Sequence, residues 1–150
     1  MAHYFAYTSM IDPDQIARVA PGARFHLIAH LPETKMLFEA TEGRWSGAIP
    51  TVVAEEGNSV WGAVFEVTKT QLAAIDAEEA RNGRVPTKDF SAVDREGKRY
   101  LVTTHVVEGG SDDEPNHDYL EHMLAGCRHW DLPMGWMLNI EDILEDDLLA

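Results

Sequence analysis

Two glutamates close a predicted helix in the run Ile75-Asp76-Ala77-Glu78-Glu79. Far upstream, the apolar strand Tyr4-Phe5-Ala6-Tyr7 stops at the polar pair Thr8-Ser9. A carboxylate whose pKa is raised by partial burial can take a proton from one group and return it to another near neutral pH. The competing reading is a solvated charge at a helix C-terminus, where the helix dipole opposes it by about 0.3–1 kcal/mol. Adjacent helical residues point about 100° apart, so Glu78 and Glu79 cannot both face one pocket.

Other chemistries find less support. The chain has seven histidines, but His117 and His122 lie five apart and miss the i, i+4 spacing of one helix face. There is no H-E-x-x-H and no cysteine pair, so no metal site is expected. Ser9 lacks a G-x-S-x-G elbow, and no glycine-rich phosphate loop is present. Cys127, the single cysteine, reads as a small buried hydrophobe on a helix. It allows no intramolecular disulfide, which fits a reducing compartment and a cytoplasmic location.

The formal charge of −14 argues against nucleic acid as a partner, because phosphates call for a basic surface. Part of the acidic excess lies in Asp112-Asp113-Glu114 and in the run from Glu141 to Asp147, which read as solvated segments. No apolar run reaches the roughly 20 residues that span a bilayer, and no secretory signal is evident. A small anion can still be held by backbone N–H groups. A length of 150 residues suits one domain, here residues 1–150.

The elements that must position these groups follow from periodicity and turn chemistry. Residues 3–8 read as a buried strand. Asp12-Pro13-Asp14-Gln15 reads as a helix start with Gln15 completing a capping box, and Pro21-Gly22 ends that helix. Strands are expected over 23–31, 35–39, 48–54 and 60–67, with Glu55-Glu56-Gly57-Asn58 as a hairpin turn between the last two. Thr68 and Gln71 form a capping box for a helix to Ala80. Strands over 89–93 and 99–107 flank the hairpin signal Asp94-Arg95-Glu96-Gly97, and 108–115 is a polar loop. Helices are expected from Asn116 to Trp130 and from Trp136 to Leu149, separated by Leu132-Pro133. About six strands with irregularly inserted helices make an α+β fold with mainly antiparallel pairing.

Four segments, in order, resemble the gamma-glutamylcyclotransferase family over nearly the whole chain. The family's Y-F-A-Y-G-S-N strand and loop is similar to Tyr4 through Met10. Its W-x-G-x-x-x-T and V-W-G-x-V-(F/Y/W) strands are similar to Trp45 through Thr51 and Val60 through Phe65. Its L-D-x-x-E is similar to Ile75 through Glu79, and its P-x-x-x-Y and G-x-x-x-x-x-L-P to Pro115–Tyr119 and Gly126–Pro133. The resemblance implies a small mixed, mainly antiparallel β-barrel with flanking helices. It also implies an amide-cleaving, lyase-type acyl transfer without cofactor: a gamma-glutamyl group closes on itself to 5-oxoproline and releases an amine or amino acid. It places Glu79 as the catalytic acid and base, and residues Tyr4, Phe5, Ala6, Tyr7, Thr8, Ser9 and Tyr119 around a small gamma-glutamyl compound; it also admits a homodimer. For Tyr119 a plain core-facing role stands beside the binding role.

This chain departs from the family's pattern at four positions. Thr8 stands for the loop glycine, Met10 for asparagine, His105 for a strand tyrosine, and Ala80 for the glycine after the catalytic glutamate. A β-branched residue resists the φ > 0 backbone that glycine permits. The expectation is a retained scaffold with an altered pocket. The alternative function is a catalytically weakened or inactive small-molecule binding or regulatory module.

Overall fold

Alternating burial along Tyr4-Phe5-Ala6-Tyr7 organises the molecule, because successive side chains of a strand enter opposite sides of the sheet. Tyr4 and Ala6 join one apolar cluster, under the helices, with Tyr119, Leu120 and Ile75. Phe5 and Tyr7 join the other, with Leu31, Val64 and Val102. The computed structural model describes residues 1–40, 48–107 and 115–149. The Trp45-Ser46-Gly47 motif, the acidic run 112–114 and most of the 108–115 loop lie outside the described residues.

The elements are β1 (Ala2–Ala6), α1 (Pro13–Val19), β2 (Arg24–Ala40), β3 (Ala48–Val67) and α2 (Lys69–Ala80), then β4 (Val85–Thr87), β5 (Ser91–Asp94), β6 (Arg99–Leu101) and β7 (Thr104–Val106), and finally α3 (His117–His129) and α4 (Met134–Leu149). A 3₁₀ turn over Ser9–Ile11 joins β1 to α1. The strands pair antiparallel in a five-stranded sheet ordered β1-β3-β2-β5-β6 and a two-stranded sheet β4-β7. The chain is thus α+β with a mainly antiparallel sheet. Among the described residues no helix is long and apolar enough to cross a membrane.

The segment from β6 to β7 supplies a barrel-like closure. Arg99 and Tyr100 pair with β5 at one edge of the large sheet. Three residues later Thr103 reaches the other edge, where Phe5 N–H donates to its carbonyl and its own N–H donates to the His3 carbonyl, both at 2.9 Å. The expected single strand over 99–107 is therefore broken at Val102, because its two halves serve opposite edges. β4, which lacks a hydrophobic alternation to announce it, pairs with β7.

The four strands expected over 23–67 are two long ones. β2 and β3 pair antiparallel from Arg24–Glu66 to Ala40–Ala48, with the register shifting between Phe25 and Leu27 and again between Pro32 and Thr34. Glu55-Glu56-Gly57-Asn58 does not reverse the chain. It bulges opposite Glu33, between the pairs Thr34–Ala54 and Pro32–Ser59. Gly57 (φ 86°) and Glu33 (φ 58°) absorb the irregularity, and the Gly57 N–H donates to the Glu33 carboxylate at 2.9 Å. Turn-forming residues satisfy a bulge as well as a hairpin, so the local signal is ambiguous.

Capping chemistry behaves as expected at α2, where Thr68 and Gln71 exchange hydrogen bonds of 3.1 and 2.9 Å. At α1, Asp12 caps by accepting from Asp14 N–H at 2.9 Å. Gln15 departs from expectation: its side chain accepts instead from Arg18 at 2.9 Å.

Helix α3 packs directly on the 3₁₀ turn, and Gly126 makes that approach feasible. A Cβ there would sit 2.4 Å from the backbone carbon and oxygen of Ile11. Trp130 locks the contact by donating its indole N–H to the Ile11 carbonyl at 2.8 Å. Alanine gains about 1 kcal/mol of helix propensity over glycine, whereas forced overpacking costs about 1–3 kcal/mol. The clash involves backbone and should win. Gly126→Ala is expected to lower the urea-unfolding free energy by about 1–2 kcal/mol, measured by far-ultraviolet circular dichroism.

Candidate functional site

The buried face of α2 carries acid where periodicity calls for apolar groups. Ile75, Glu78 and Glu79 are its buried residues, spaced i, i+3 and i+4. Glu79 is 1% exposed, so it is not the solvated helix-end charge that sequence also allowed. Glu78 is buried too, but it turns to other partners: Arg18 at 3.2 Å and Arg81 at 3.0 Å, both reaching in from solvent.

What receives Glu79 is Arg84, a residue the sequence reading did not single out. The helix ends in a Schellman pattern. Gly83, at φ 80°, donates to the Ala80 carbonyl, and Arg84 N–H donates back to the Glu79 carbonyl, both at 3.0 Å. This motif usually brings together apolar side chains at the two positions that here carry Glu79 and Arg84. Here the contact is an ion pair, with Arg84 Nη1 donating to Glu79 Oε1 at 3.0 Å. The Asn82-Gly83 pair after the helix was the available signal, since glycine at such a position marks a helix stop that folds the chain back.

Arg84 has a fully buried side chain. Its Nε and Nη2 donate to the Pro50 carbonyl at 3.1 and 2.8 Å, and its guanidinium carbon lies 5.5 Å from the Tyr119 ring centroid. Desolvation is the largest single influence and works against its charge, but the Glu79 carboxylate together with Tyr119 and Tyr7 outweighs it and holds the guanidinium above its ordinary pKa. The second carboxylate oxygen, Glu79 Oε2, is buried without a hydrogen-bond partner. A buried carboxylate with one oxygen clamped and one unengaged is oriented for proton exchange.

Three tyrosines surround this pair. Burial, reinforced by the Glu79 charge, raises the Tyr4 pKa well above the ordinary phenol value. Tyr7 and Tyr119 are raised chiefly by burial, with Arg84 partly opposing. The Tyr4 hydroxyl is buried and makes no hydrogen bond of ordinary geometry, although the Thr8 side chain approaches it. Tyr7 donates to the His105 carbonyl, and Tyr119 accepts from Ser9 N–H at 3.1 Å.

The remaining expected site residues lie along the same strand and loop. Thr8 has φ −89°, so this backbone does not demand glycine. Its hydroxyl accepts from Met10 N–H at 3.2 Å. Met10 is buried in the core under the helices. Phe5 turns to the opposite core from Tyr4, and the Ala6 carbonyl lies against Gly62, where a Cβ would approach it to 2.4 Å. Tyr4, Tyr7, Tyr119 and Glu79 thus come together, while Phe5 and Ala6 serve through backbone and packing.

An open, mostly apolar cleft formed by Met1, His3, Lys88 and Leu101–Thr103 contains none of these groups. Among the described residues no cluster of three or more His, Cys, Asp or Glu side chains could hold a metal. Cys127 is buried, and burial pushes its thiol pKa up to about 12.

With this geometry in hand, comparison with known proteins gives a consistent picture. A profile of the AIG2-like family matches residues 59–138. Gamma-glutamylcyclotransferase from Homo sapiens is 26% identical over 149 residues, covering 96% of this chain and 79% of that protein. The Bos taurus gamma-glutamylcyclotransferase aligns with the same identity and coverage, 26%, 96% and 79%. A solved structure of a gamma-glutamyl cyclotransferase superposes with a TM-score of 0.86 at 25% identity, covering 93% of this chain and 86% of that one. A glutathione-specific cyclotransferase from yeast shares the fold, with a TM-score of 0.62 at 10% identity over 97% of this chain and 98% of that one.

Two measurements test the electrostatics of this centre. Arg84→Met strands a buried carboxylate and should cost about 3–5 kcal/mol in denaturant unfolding. Adding Glu79→Leu to that variant should recover much of the loss, because no charge is then left unpaired. In alkali, Tyr4, Tyr7 and Tyr119 keep protons that the unfolded chain gives up near pH 10. Their contribution to stability is complete below about pH 10 and declines as pH rises above it. Ultraviolet titration should show these phenols ionising only as the circular dichroism signal collapses.

Proposed function

Since the chain belongs to the AIG2-like family, we propose that it is an enzyme of gamma-glutamylcyclotransferase type, converting a gamma-glutamyl amine or amino acid to 5-oxoproline. The observation that carries this reading is Glu79: a buried carboxylate with one unengaged oxygen, near Tyr4, Tyr7 and Tyr119.

The chemistry follows from that placement. Glu79 Oε2 takes a proton from the substrate's α-ammonium. The freed amine attacks the γ-carbonyl carbon, forming the ring C–N bond and a tetrahedral oxyanion. Collapse breaks the bond to the leaving nitrogen, which receives the proton from Glu79; the regenerated carboxylate then takes the second hydrogen from the ring nitrogen and passes it to the released amine, leaving 5-oxoproline and an ammonium. One carboxylate therefore acts as base and then as acid, and no net proton is consumed. Holding amine and carbonyl within one folded substrate supplies much of the remaining acceleration.

The loop offers a seat for the substrate's α-carboxylate. Ser9 and Met10 N–H groups now donate to the Tyr119 and Thr8 hydroxyls, and both hydroxyls can give way to carboxylate oxygens. Arg84, clamped on the Pro50 carbonyl, fixes the orientation of Glu79 and balances its charge.

The same two hydrogen bonds favour a second reading, a binding module without turnover, because the chain already satisfies its own loop donors. Calorimetric binding of gamma-glutamyl compounds without 5-oxoproline formation would establish that reading.

Purified protein incubated with a panel of gamma-glutamyl amines and amino acids should release 5-oxoproline, followed by mass spectrometry. Glu79→Gln, which keeps a carbonyl acceptor for Arg84 but strands its charge, should lower that rate by about 10²- to 10⁴-fold when assayed well below its own, reduced unfolding midpoint, where circular dichroism shows it folded. Undiminished turnover in Glu79→Gln would remove this residue from the mechanism.

A further inference from the structure

His105 takes the position where the family pattern has a tyrosine, and its ring makes an arrangement of its own. Its side chain is fully buried, and Nε2 lies 2.6 Å from the half-exposed Asp76 carboxylate. A carboxylate can only accept, so Nε2 carries the hydrogen and, in the neutral ring, Nδ1 is left as a bare acceptor. That Nδ1 is buried without a hydrogen-bond partner.

Two other polar atoms share this condition nearby: the Tyr4 hydroxyl and Glu79 Oε2. The Tyr4 ring stands edge-on to His105 at 5.6 Å between centroids, and the Glu79 charge bears directly on the Tyr4 hydroxyl. Asp76, which holds His105, and Glu79 lie three residues apart on α2, the spacing of neighbours on a helix surface, so the helix presents both toward the Tyr4 side of the sheet. Buried polar atoms are ordinarily paired, and each one left unpaired costs about 1–3 kcal/mol. Three such atoms gathered around one tyrosine indicate a site completed by a ligand.

The chemistry of the set selects the ligand group. Glu79 Oε2 and His105 Nδ1 can only accept, and the Tyr4 oxygen can accept as well. A primary ammonium offers three N–H donors and no acceptor. We propose that His105 Nδ1, positioned by Asp76, is the third corner of a seat for the substrate's α-ammonium, together with Glu79 Oε2 and the Tyr4 oxygen. When Glu79 removes one proton, the lone pair is exposed on the Glu79 side, from which the γ-carbonyl must approach, and His105 and Tyr4 accept hydrogen bonds from the two remaining N–H groups. The proposal rests on the cyclotransferase reading and assigns it a requirement for an unsubstituted primary α-amine.

The test uses the intact protein labelled with ¹⁵N-histidine, with long-range ¹H–¹⁵N spectra reporting each imidazole nitrogen. The free protein should show His105 protonated at Nε2 and bare at Nδ1. L-glutamate, which carries the α-ammonium but no leaving group, should shift Nδ1 toward a hydrogen-bonded value, whereas N-acetyl-L-glutamate should not. Kinetically, His105→Phe should lower kcat/KM for gamma-glutamyl amides by about 10- to 100-fold, as for loss of a hydrogen bond to a charged group. His105→Gln, which restores a carbonyl acceptor, should recover part of that loss. Turnover and glutamate binding with an unmoved Nδ1, or a free protein already protonated there, would overturn the seat and leave the enzymatic reading standing. Absence of both glutamate binding and turnover would overturn the two together.

Discussion

A guanidinium with no exposed surface is tolerated only when its charge and its donors are met, and the region around α2 is built to meet them. Arg84 is held on one side by Glu79 and on the other by the Pro50 carbonyl of β3. Removing either charge would leave the other uncompensated in a low-dielectric interior, so the two positions are energetically one unit. The pair ties the end of α2 to β3 and places a carboxylate near Tyr4, Tyr7 and Tyr119. On the proposed reading, function and fold are coupled at this one contact.

That contact depends on the turn between the partners. Gly83 adopts a backbone that other residues resist, and it reverses the chain so that Arg84 meets the helix turn it has just left. Glu78, one residue earlier, makes its own bonds with Arg18 and Arg81 and stays out of the centre. Helical geometry separates the two carboxylates, and burial of both is possible because each has its own cation.

The opposite wall is set by the sheet. Val102 and Thr103 cross from one edge of the large sheet to the other, and this crossing sets His105 beneath Tyr4 and Asp76. Thr8, which seemed incompatible with a glycine-type loop, sits in extended backbone and uses its hydroxyl to close Met10 N–H. Met10 packs into the core, so the asparagine amide of the family pattern is replaced by apolar volume. The departures from the family pattern thus leave the scaffold intact and change which side chains gather at this loop.

Local chemistry was enough to read the helices, the Thr68–Gln71 cap, the apolar strand at residues 3–8 and the ordered segments that resemble the family. Those features depend on neighbours within a turn or a pleat, where side-chain period and hydrogen-bond geometry act directly. The same local reading failed at Glu55–Asn58, because a bulge and a hairpin draw on the same residues, and at 99–107, because a strand that changes partners looks continuous from within. It named Glu79 by resemblance but left Arg84 unnoticed, and nothing in the spacing tells which of Arg81 and Arg84 goes inward. The sequence alone determined which groups could exchange a proton. Tertiary structure decided which carboxylate is buried, which cation it meets and which acceptors remain unpaired, because desolvation and pairing are set by elements distant along the chain.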